Sequence, residues 1–212
     1  RAALYTSLHP ARLHLTNFIP GSEPKNPRLL TPPWRAHLPV EVDTVGDIFK
    51  ARRYATGHFG KWHLAPDYHY HPGRPMDPES QGFDTVRVPR KPLADADPES
   101  DAHHVDSLTT DAISFMDAHR DDPFLCVLAH NSLHRPELAP AALVAKYAQK
   151  PGADRDCNRP VVGAMAEQLD RSVGRLLDHL RATGLERNTI VVFTSDHGAF
   201  GRSEDRKPLR GA

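Results

Sequence analysis

The chain has few cysteines, no net charge and no long hydrophobic run, and each of these absences excludes a class of protein. Its 212 residues include two cysteines, Cys126 and Cys157, which are too few for a disulfide framework and lack the spacing of a zinc site. Lysine plus arginine equals aspartate plus glutamate at 27 each, so no overall field attracts nucleic acid or anionic lipid. The longest apolar stretches, such as residues 124–129, are far shorter than the roughly 18 residues of a membrane span. We therefore expect no nucleic acid partner and no membrane span in this segment.

Histidine and proline are abundant, with 14 and 20 residues respectively. The prolines predict long loops, above all at residues 17–40 and 66–98. Apolar residues at helical spacing predict helices at residues 1–9, 44–53, 105–118, 139–149 and 161–183. Thr44 is the predicted N-cap of the second of these helices, and Gly184 is the predicted stop of the last. A short extended segment and two unbroken apolar runs predict strands at residues 54–60, 123–130 and 188–196.

Strands that alternate with helices predict an α/β sandwich with helices on both faces of the sheet. The length suits one domain or a piece of a larger one. In such sheets ligands gather at the carboxyl ends of the strands. Polar clusters stand at this position after each predicted strand, namely Lys61 with His63, His130 to His134, and Asp196 with His197. This agreement is a stronger signal than any single motif.

The first polar cluster lies in residues 57–64, which read GHFGKWHL. Lys61 and His63 stand at i and i+2, a spacing that puts two side chains on the same face of extended backbone. An ammonium beside an imidazole suits a tetrahedral oxyanion, because the lysine neutralises charge and the histidine moves a proton. The spacing alone leaves open the alternative of a strand end with solvated polar residues.

The other two clusters carry weaker signals. Asp196 and His197 lie in residues 194–198, which read TSDHG, and a carboxylate with an imidazole can bind a divalent cation. The alternative is that Asp196 caps the next segment. His134 lies in a loop and can donate a proton to a leaving group, although a lone loop histidine is usually just solvated. We interpret His130 as a structural residue or as one that supports a neighbouring site residue.

Residues 54–64, which read YATGHFGKWHL, resemble the second signature of the sulfatase family, in the alkaline-phosphatase superfamily, nearly residue for residue. Residues 81–84, 170–177 and 188–198 are also similar to segments of that family. The resemblance covers essentially the whole chain. It implies an α/β fold, the alkaline-phosphatase-like three-layer α/β/α sandwich.

The same resemblance extends to the two ends of the chain. Residues 1–6 are similar to the family's segment at the end of its Cys/Ser-x-Pro-Ser-Arg signature, and Arg1 would be the arginine of that signature. The nucleophile, a Cys or Ser converted to formylglycine, would lie four residues before Arg1. Residues 207–212 are similar to a segment that leads to another active-site lysine. We therefore expect residues 1–212 to be a fragment of a sulfatase catalytic domain, inactive alone, with the first strand and the carboxy-terminal subdomain outside it.

The resemblance implies a sulfuric ester hydrolase that cleaves sulfate esters of a sugar or aryl alcohol. The formylglycine hydrate would attack the sulfur, and Arg1 would hold that hydrate. Lys61 would bind the sulfate oxygens and His134 would help the alcohol to leave. His63 would deprotonate the covalent hemisulfate, which expels sulfate and restores the aldehyde.

Cofactor, partners and location are also implied by the resemblance. Asp196 and His197 would bind one divalent cation, usually Ca²⁺, with Mg²⁺ or Mn²⁺ as alternatives, and His197 stands where many members have Asn. The partners would be a sulfated small molecule or carbohydrate and a formylglycine-generating or sulfatase-maturing enzyme, in a periplasmic or secreted protein. Two alternatives stay open: a phosphonate monoester or phosphodiester hydrolase of the same superfamily, and a non-catalytic pseudo-sulfatase.

Overall fold

The computed structural model describes residues 1–22, 25–26, 28–67, 69–153 and 159–196. The chain divides into two compact units, the first made of residues 1–90 and 110–130 and the second of residues 91–109 and 131–212. The first unit contains a parallel sheet, and the second contains the longest helix. Helix α3, Val105–Ala118, contributes its first part to the second unit and the remainder to the first.

The first unit is built around three parallel strands in the order β2-β1-β3. Its elements in chain order are α1 (Ala2–Thr6), α2 (Val45–Lys50), β1 (Ala55–Gly60), a 3-10 turn (Pro78–Gln81), β2 (Thr85–Arg87), the end of α3, and β3 (Phe124–Ala129). Strand β1 pairs with β3 along its whole length, from Ala55 opposite Phe124 to Gly60 opposite Ala129. The carboxyl ends of β1 and β3 therefore lie side by side.

Alternation along β1 sends successive side chains to opposite faces of the sheet. Thr56 donates a hydrogen bond to the carbonyl of Gly82 at 2.8 Å, on the face that α1 and α2 cover. Phe59 lies on the other face, where its ring centroid is 5.6 Å from that of Phe115 in α3. Helices therefore cover both faces of this sheet within the first unit, as the sequence predicts.

Thr44 begins helix α2 with a capping box. Its hydroxyl accepts from the backbone N–H groups of Gly46 and Asp47, and the Asp47 carboxylate accepts from the N–H of Thr44. The same hydroxyl lies 2.7 Å from the carbonyl oxygen of Gln81, to which it can donate. Thr44 is fully buried, so no water replaces these contacts. The predicted N-cap is confirmed.

We expect Thr44→Val to lower the free energy of unfolding by about 2 kcal/mol, because it removes a helix cap and leaves a buried carbonyl without its donor. Urea unfolding of the variant and the wild type measures the difference. Thr85→Val makes the same change at an exposed strand residue and should stay within about 0.5 kcal/mol of wild type. Equal losses in the two variants would contradict a specific role for Thr44.

The second unit contains helices α4 (Ala141–Ala148) and α5 (Pro160–Thr183), followed by a 3-10 turn (Leu185–Asn188). Helix α5 starts with a proline in its first turn and ends at Gly184, whose φ of 74° is left-handed, as its place after the apolar stripe predicts. A small core joins Ala164 and Met165 of α5 to partly buried residues of α4. Thr109 and Ser172, both buried, share a hydroxyl hydrogen bond of 2.6 Å, which ties the first part of α3 to α5.

The structure corrects the predicted strands and the first helix. The predicted strand at residues 188–196 is wrong: residues 189–195 have no regular structure, and Ile190 is 91% exposed. Apolar residues form a strand only beside a hydrogen-bonded neighbour, and no described residue pairs with this run as a strand. Conversely, β2 lies inside the predicted loop at 66–98. Helix α1 ends early at Thr6 because Ser7 takes a left-handed φ of 57°.

The apolar run of strand β3 predicts a fully buried strand. The structure shows instead that β3 is half-buried along its whole length. Among the residues that the structure describes, no helix is long and apolar enough to cross a membrane.

Candidate active site

The carboxyl end of β1 is joined to the start of α1. Nη1 of Arg1 donates to the carbonyl oxygen of Lys61 at 3.0 Å. The N–H of Lys61 donates to the carbonyl oxygen of Ala129 at 2.7 Å, which continues the ladder between β1 and β3 by one residue. Arg1 and Lys61, two of the predicted site residues, are therefore in direct contact, and Lys61 is held from both sides through its backbone.

His63 takes a different conformation from the one that the spacing predicts. Strand β1 ends at Gly60, and His63 has a left-handed φ of 59°. The argument that extended backbone sends Lys61 and His63 to one face is therefore wrong. Nε2 of His63 lies 2.5 Å from the carbonyl oxygen of Ile19. Because a carbonyl only accepts, Nε2 carries a proton in this contact, and Nδ1 is the ring nitrogen that can accept a proton when the ring is neutral.

Trp62 anchors the segment between these two polar residues. Its side chain is 2% exposed, and its indole N–H donates to the carbonyl of Met76 at 2.8 Å. Lys61 and His63 on either side are only half-buried. A buried tryptophan thus fixes the backbone from which both polar side chains extend.

An aromatic cluster, consisting of Tyr5, His58, Trp62 and Phe83, lies beneath this segment. His58 is fully buried, and its ring packs against Trp62 and Phe83 with centroids 5.3 Å away in each case. Nε2 of His58 is 2.9 Å from the hydroxyl oxygen of Tyr5. Burial, and after it the charge of Arg1, lowers the pKa of His58 to about 3, so this histidine is neutral at every physiological pH.

A neutral buried histidine makes stability depend on pH. His58 takes up a proton near its ordinary value of 6.5 in the unfolded chain but only near pH 3 in the folded one. The unfolded state therefore binds more protons between these values, and stability is lost as the pH falls. We expect the advantage of the wild type over His58→Gln to shrink by about 1.4 kcal/mol per pH unit below pH 6.

Urea unfolding at a series of pH values measures this effect, because the difference between the two proteins cancels the other titrating groups. The exposed His9→Gln is the matched control for the change of residue type. If the difference between wild type and His58→Gln stays constant from pH 7 to pH 4.5, His58 is not a neutral buried group.

The remaining predicted site residues belong to the second unit. His134 is exposed, and its Nδ1 lies 2.9 Å from the carbonyl oxygen of Arg135, to which it can donate. Asp196 is also exposed. His197 lies outside the described residues, as does Cys157. His103 is buried, and its Nε2 lies 2.9 Å from the carbonyl oxygen of Pro136.

Comparison with known proteins decides the family. The family model described as Sulfatase matches residues 1–211. The chain belongs to the sulfatase family. It is 30% identical over 199 residues to an ulvan-active sulfatase of Formosa agariphila, covering 82% of this chain and 39% of that protein. It is 29% identical over 231 residues to arylsulfatase A of Homo sapiens, covering 93% of this chain and 42% of that protein. The sulfatase described here thus spans about two fifths of the length of these relatives.

Solved structures of similar proteins show the fold. A crystal structure named Ps i-CgsB superposes with a TM-score of 0.71 at 22% identity, covering 93% of this chain and 47% of that one. A phosphonate monoester hydrolase from Silicibacter pomeroyi superposes with a TM-score of 0.63 at 17% identity, covering 93% and 52%. The predicted α/β, alkaline-phosphatase-like fold of this sulfatase is therefore confirmed.

The described residues of this sulfatase do not form a cation site by themselves. No group of three or more histidine, cysteine, aspartate or glutamate side chains comes together in the described ranges. Of the two predicted ligands, Asp196 and His197, only Asp196 lies within the described residues. A carboxylate suits a hard cation such as Ca²⁺, but one carboxylate is not a site, and no step of the chemistry is derived through a metal.

Cys126 is not a nucleophile. It is a free thiol in β3, and burial raises its pKa to about 12. The thiolate is the reactive form of cysteine, so Cys126 is inert near neutral pH. This agrees with its place outside any nucleophile motif.

Tyr5 and His58 are in contact beneath the candidate site, and sequence reasoning missed this pair. Two signals were present: Tyr5 stands four residues after Arg1, one helical turn along α1, and His58 alternates with Thr56 and Gly60 on one face of β1. Neither signal reveals that α1 and β1 meet. That contact is a property of the tertiary fold.

Proposed function

We propose that this sulfatase is the catalytic segment of a sulfuric ester hydrolase that acts on sulfate esters of a sugar or aryl alcohol. The observation that carries the proposal is the contact between Arg1 and Lys61 at the carboxyl end of β1. Parallel α/β sheets bind ligands at this end, and both residues lie in segments that resemble sulfatase signatures. Two cationic residues, joined there through the backbone carbonyl of Lys61, suit an anionic ester.

Each residue that the sequence assigns to the site has a chemical role in this proposal. The guanidinium of Arg1 holds and polarises the nucleophile, and the ammonium of Lys61 neutralises charge on the sulfate oxygens as it develops. Nε2 of His63 donates to Ile19, so Nδ1 is the atom that accepts the proton whose removal releases sulfate. His134 protonates the oxygen of the departing alcohol.

Two further groups, a nucleophile and a cation, complete the proposed site. A formylglycine four residues before Arg1 in the parent protein would supply a covalent oxygen nucleophile. Asp196 and His197 would bind a divalent cation, Ca²⁺ or else Mg²⁺ or Mn²⁺, which supplies Lewis acidity. The parent would then require a formylglycine-generating or sulfatase-maturing enzyme. We propose a periplasmic or secreted location for it, as for many bacterial members of the family.

A second candidate is a phosphonate monoester or phosphodiester hydrolase. The observation that favours it is the structural similarity to the enzyme from Silicibacter pomeroyi. The segment with Lys61 and His63 favours the sulfatase, because that pair is what the sulfatase signature contributes. A third candidate, a non-catalytic binding protein, would apply if the parent lacks a Cys or Ser in the nucleophile position.

Parallel turnover of two esters by the full-length protein tests these candidates. We expect 4-nitrophenyl sulfate to be hydrolysed with the larger kcat/KM, and bis(4-nitrophenyl) phosphate or a phosphonate monoester with the smaller one. Preference for the phosphorus esters by orders of magnitude would overturn the sulfate proposal in favour of the second candidate. Turnover of none of these esters, with a mature nucleophile detected by mass spectrometry, would overturn both.

A further inference from the structure

The sequence folds residues 69–77, which we name the Arg74 turn, back on themselves in the first unit. Pro72 and Gly73 occupy the two central positions of a tight turn, where the N–H of Arg74 donates to the carbonyl oxygen of His71 at 3.0 Å. Gly73 has a φ of 78°, which a glycine after a proline adopts readily. The guanidinium of Arg74 is thereby turned back toward the start of the segment.

Arg74 joins the two ends of this turn through one guanidinium. Its Nε donates to Oδ2 of Asp77 at 2.7 Å, and Nη2 donates to Oδ1 of the same carboxylate at 3.2 Å. Nη1 donates to Oδ2 of Asp67 at 2.9 Å, and Nη2 also donates to the carbonyl oxygen of His69 at 2.6 Å. A planar fork of donors suits this set of acceptors, and a lysine could not reproduce it.

Asp77 is the buried partner of Arg74. The side chain of Asp77 is 1% exposed, whereas that of Arg74 is 21% exposed. Oδ2 of Asp77 also accepts from the N–H of His71 at 3.1 Å. A buried carboxylate depends on its cation, because an unpaired charge in the protein interior costs several kcal/mol and is relieved by movement toward water. The position of Asp77 therefore depends on Arg74.

The Arg74 turn contacts the segment of Lys61 and His63 through Trp62. The indole N–H of Trp62 donates to the carbonyl oxygen of Met76 at 2.8 Å, and Met76 directly precedes Asp77 in the chain. The side chain of Trp62 is buried between the two polar residues. Any movement of Asp77 toward water would thus carry the Met76 carbonyl away from the indole.

We propose that Arg74 is a positioning residue for residues 61–63: its pairing with the buried Asp77 fixes the Met76 carbonyl, which in turn fixes the indole of Trp62. The catalytic consequence rests on the proposed functions of Lys61 and His63. Arg74 acts on them only through the backbone that Trp62 anchors. A misplacement of about 1 Å in a catalytic group can lower turnover about 100-fold.

Hydrogen exchange at the Trp62 indole provides a readout that needs no turnover. In full-length protein labelled with ¹⁵N-tryptophan, the Trp62 resonance is identified by its loss in Trp62→Phe. Arg74→Met should exchange this proton at least about tenfold faster than the wild type, because its acceptor is no longer fixed. Arg52→Met is the matched control for the lost charge, since Arg52 is exposed and precedes β1. Equal exchange in Arg74→Met and Arg52→Met would overturn the proposal.

A milder variant keeps the test valid if Arg74→Met is not folded at the measuring temperature, which thermal unfolding shows. Asp67→Asn weakens one contact of the guanidinium and leaves the pair with Asp77 in place. It should accelerate the exchange of the Trp62 proton by at least about twofold and by less than Arg74→Met does. Exchange at the wild-type rate in Asp67→Asn would then contradict the proposal.

A second substitution separates the buried charge from a general loss of structure. Asn at position 77 keeps an oxygen that can accept from the N–H of His71 but carries no charge. Adding Asp77→Asn to Arg74→Met should therefore slow the exchange of the Trp62 proton to within about threefold of the wild type. Exchange in the double variant that is as fast as in Arg74→Met, or faster, would overturn the proposal.

Steady-state kinetics of the full-length protein with 4-nitrophenyl sulfate, or with whichever ester the wild type hydrolyses, measure the catalytic consequence. Arg74→Met should lower kcat/KM about 10- to 100-fold, with part of the loss recovered in the double variant, and Arg52→Met should keep wild-type kinetics. Wild-type turnover by Arg74→Met would overturn the role in catalysis. If the wild type hydrolyses none of the esters but the indole exchange changes as expected, the proposed function fails while the positioning of residues 61–63 is supported.

Discussion

Replacing Gly60 with alanine should lower the free energy of unfolding by about 4 kcal/mol and turnover of the full-length protein by at least about 100-fold. Gly60 has a φ of 109°, and a Cβ there would lie 2.1 Å from the carbonyl oxygen of Ala129. Backbone strain and overpacking each cost roughly 1–3 kcal/mol. The carbonyl oxygen of Ala129 also accepts from the N–H of Lys61. Backbone movement that relieves the clash would therefore displace Lys61, which we place in the site.

Urea unfolding and steady-state kinetics measure the two effects of this substitution. Gly174→Ala is the matched control, since Gly174 lies inside α5 and a Cβ there meets nothing within 4 Å. That variant should be more stable than wild type by about 0.5–1 kcal/mol, because alanine favours the helix. If Gly60→Ala unfolds like the wild type, β1 and β3 do not approach each other as described.

Local signals in the sequence predict the helices well. Helix α3 was predicted at residues 105–118 and occupies Val105–Ala118. Thr44 and Gly184 mark helix ends because each satisfies backbone groups within its own turn. A cap or an amphipathic stripe is set by residues a few positions apart. Such features can therefore be read before anything is known of the fold.

The strands were harder to predict because a strand depends on its neighbours. Residues 189–194 have the apolar run of a buried strand, yet a run of this kind is a strand only where another strand pairs with it, and the described part of the chain supplies no such pair. Strand β2 shows the reverse. Its three residues have little pattern of their own. The strand is defined by its pairing with β1, which begins with Gly57 opposite Thr85.

Only part of the candidate site was predicted, because some of its contacts also join segments that are far apart in the chain. The signature at residues 54–64 placed Lys61 after a strand, and the structure puts it there in contact with Arg1. It did not predict the left-handed backbone of His63, whose ring contacts Ile19 from a distant loop. The pair of Tyr5 and His58 was also missed, since 53 residues separate them. Contacts between segments so far apart require the tertiary fold.

Replacing Lys61 with methionine should lower turnover by the full-length protein about 100- to 1,000-fold, the cost typical of removing one group that stabilises charge in the transition state. The contacts described for Lys61 with Arg1 and Ala129 use its backbone carbonyl and N–H. A side-chain substitution leaves both in place, so stability should change little. The measurement is kcat/KM for a sulfate ester, together with the thermal midpoint of the variant.

Lys50→Met is the control for the loss of one positive charge from the same unit. Lys50 pairs with Asp84 at 2.5 Å on the surface, where both side chains are about half exposed, so its removal should cost at most about 1 kcal/mol and leave turnover unchanged. Lys61→Arg, which retains the charge in a different shape, should recover part of the activity. If Lys61→Met and Lys50→Met have equal turnover, the anion is not bound at the carboxyl end of β1, and the proposed site is in the wrong place.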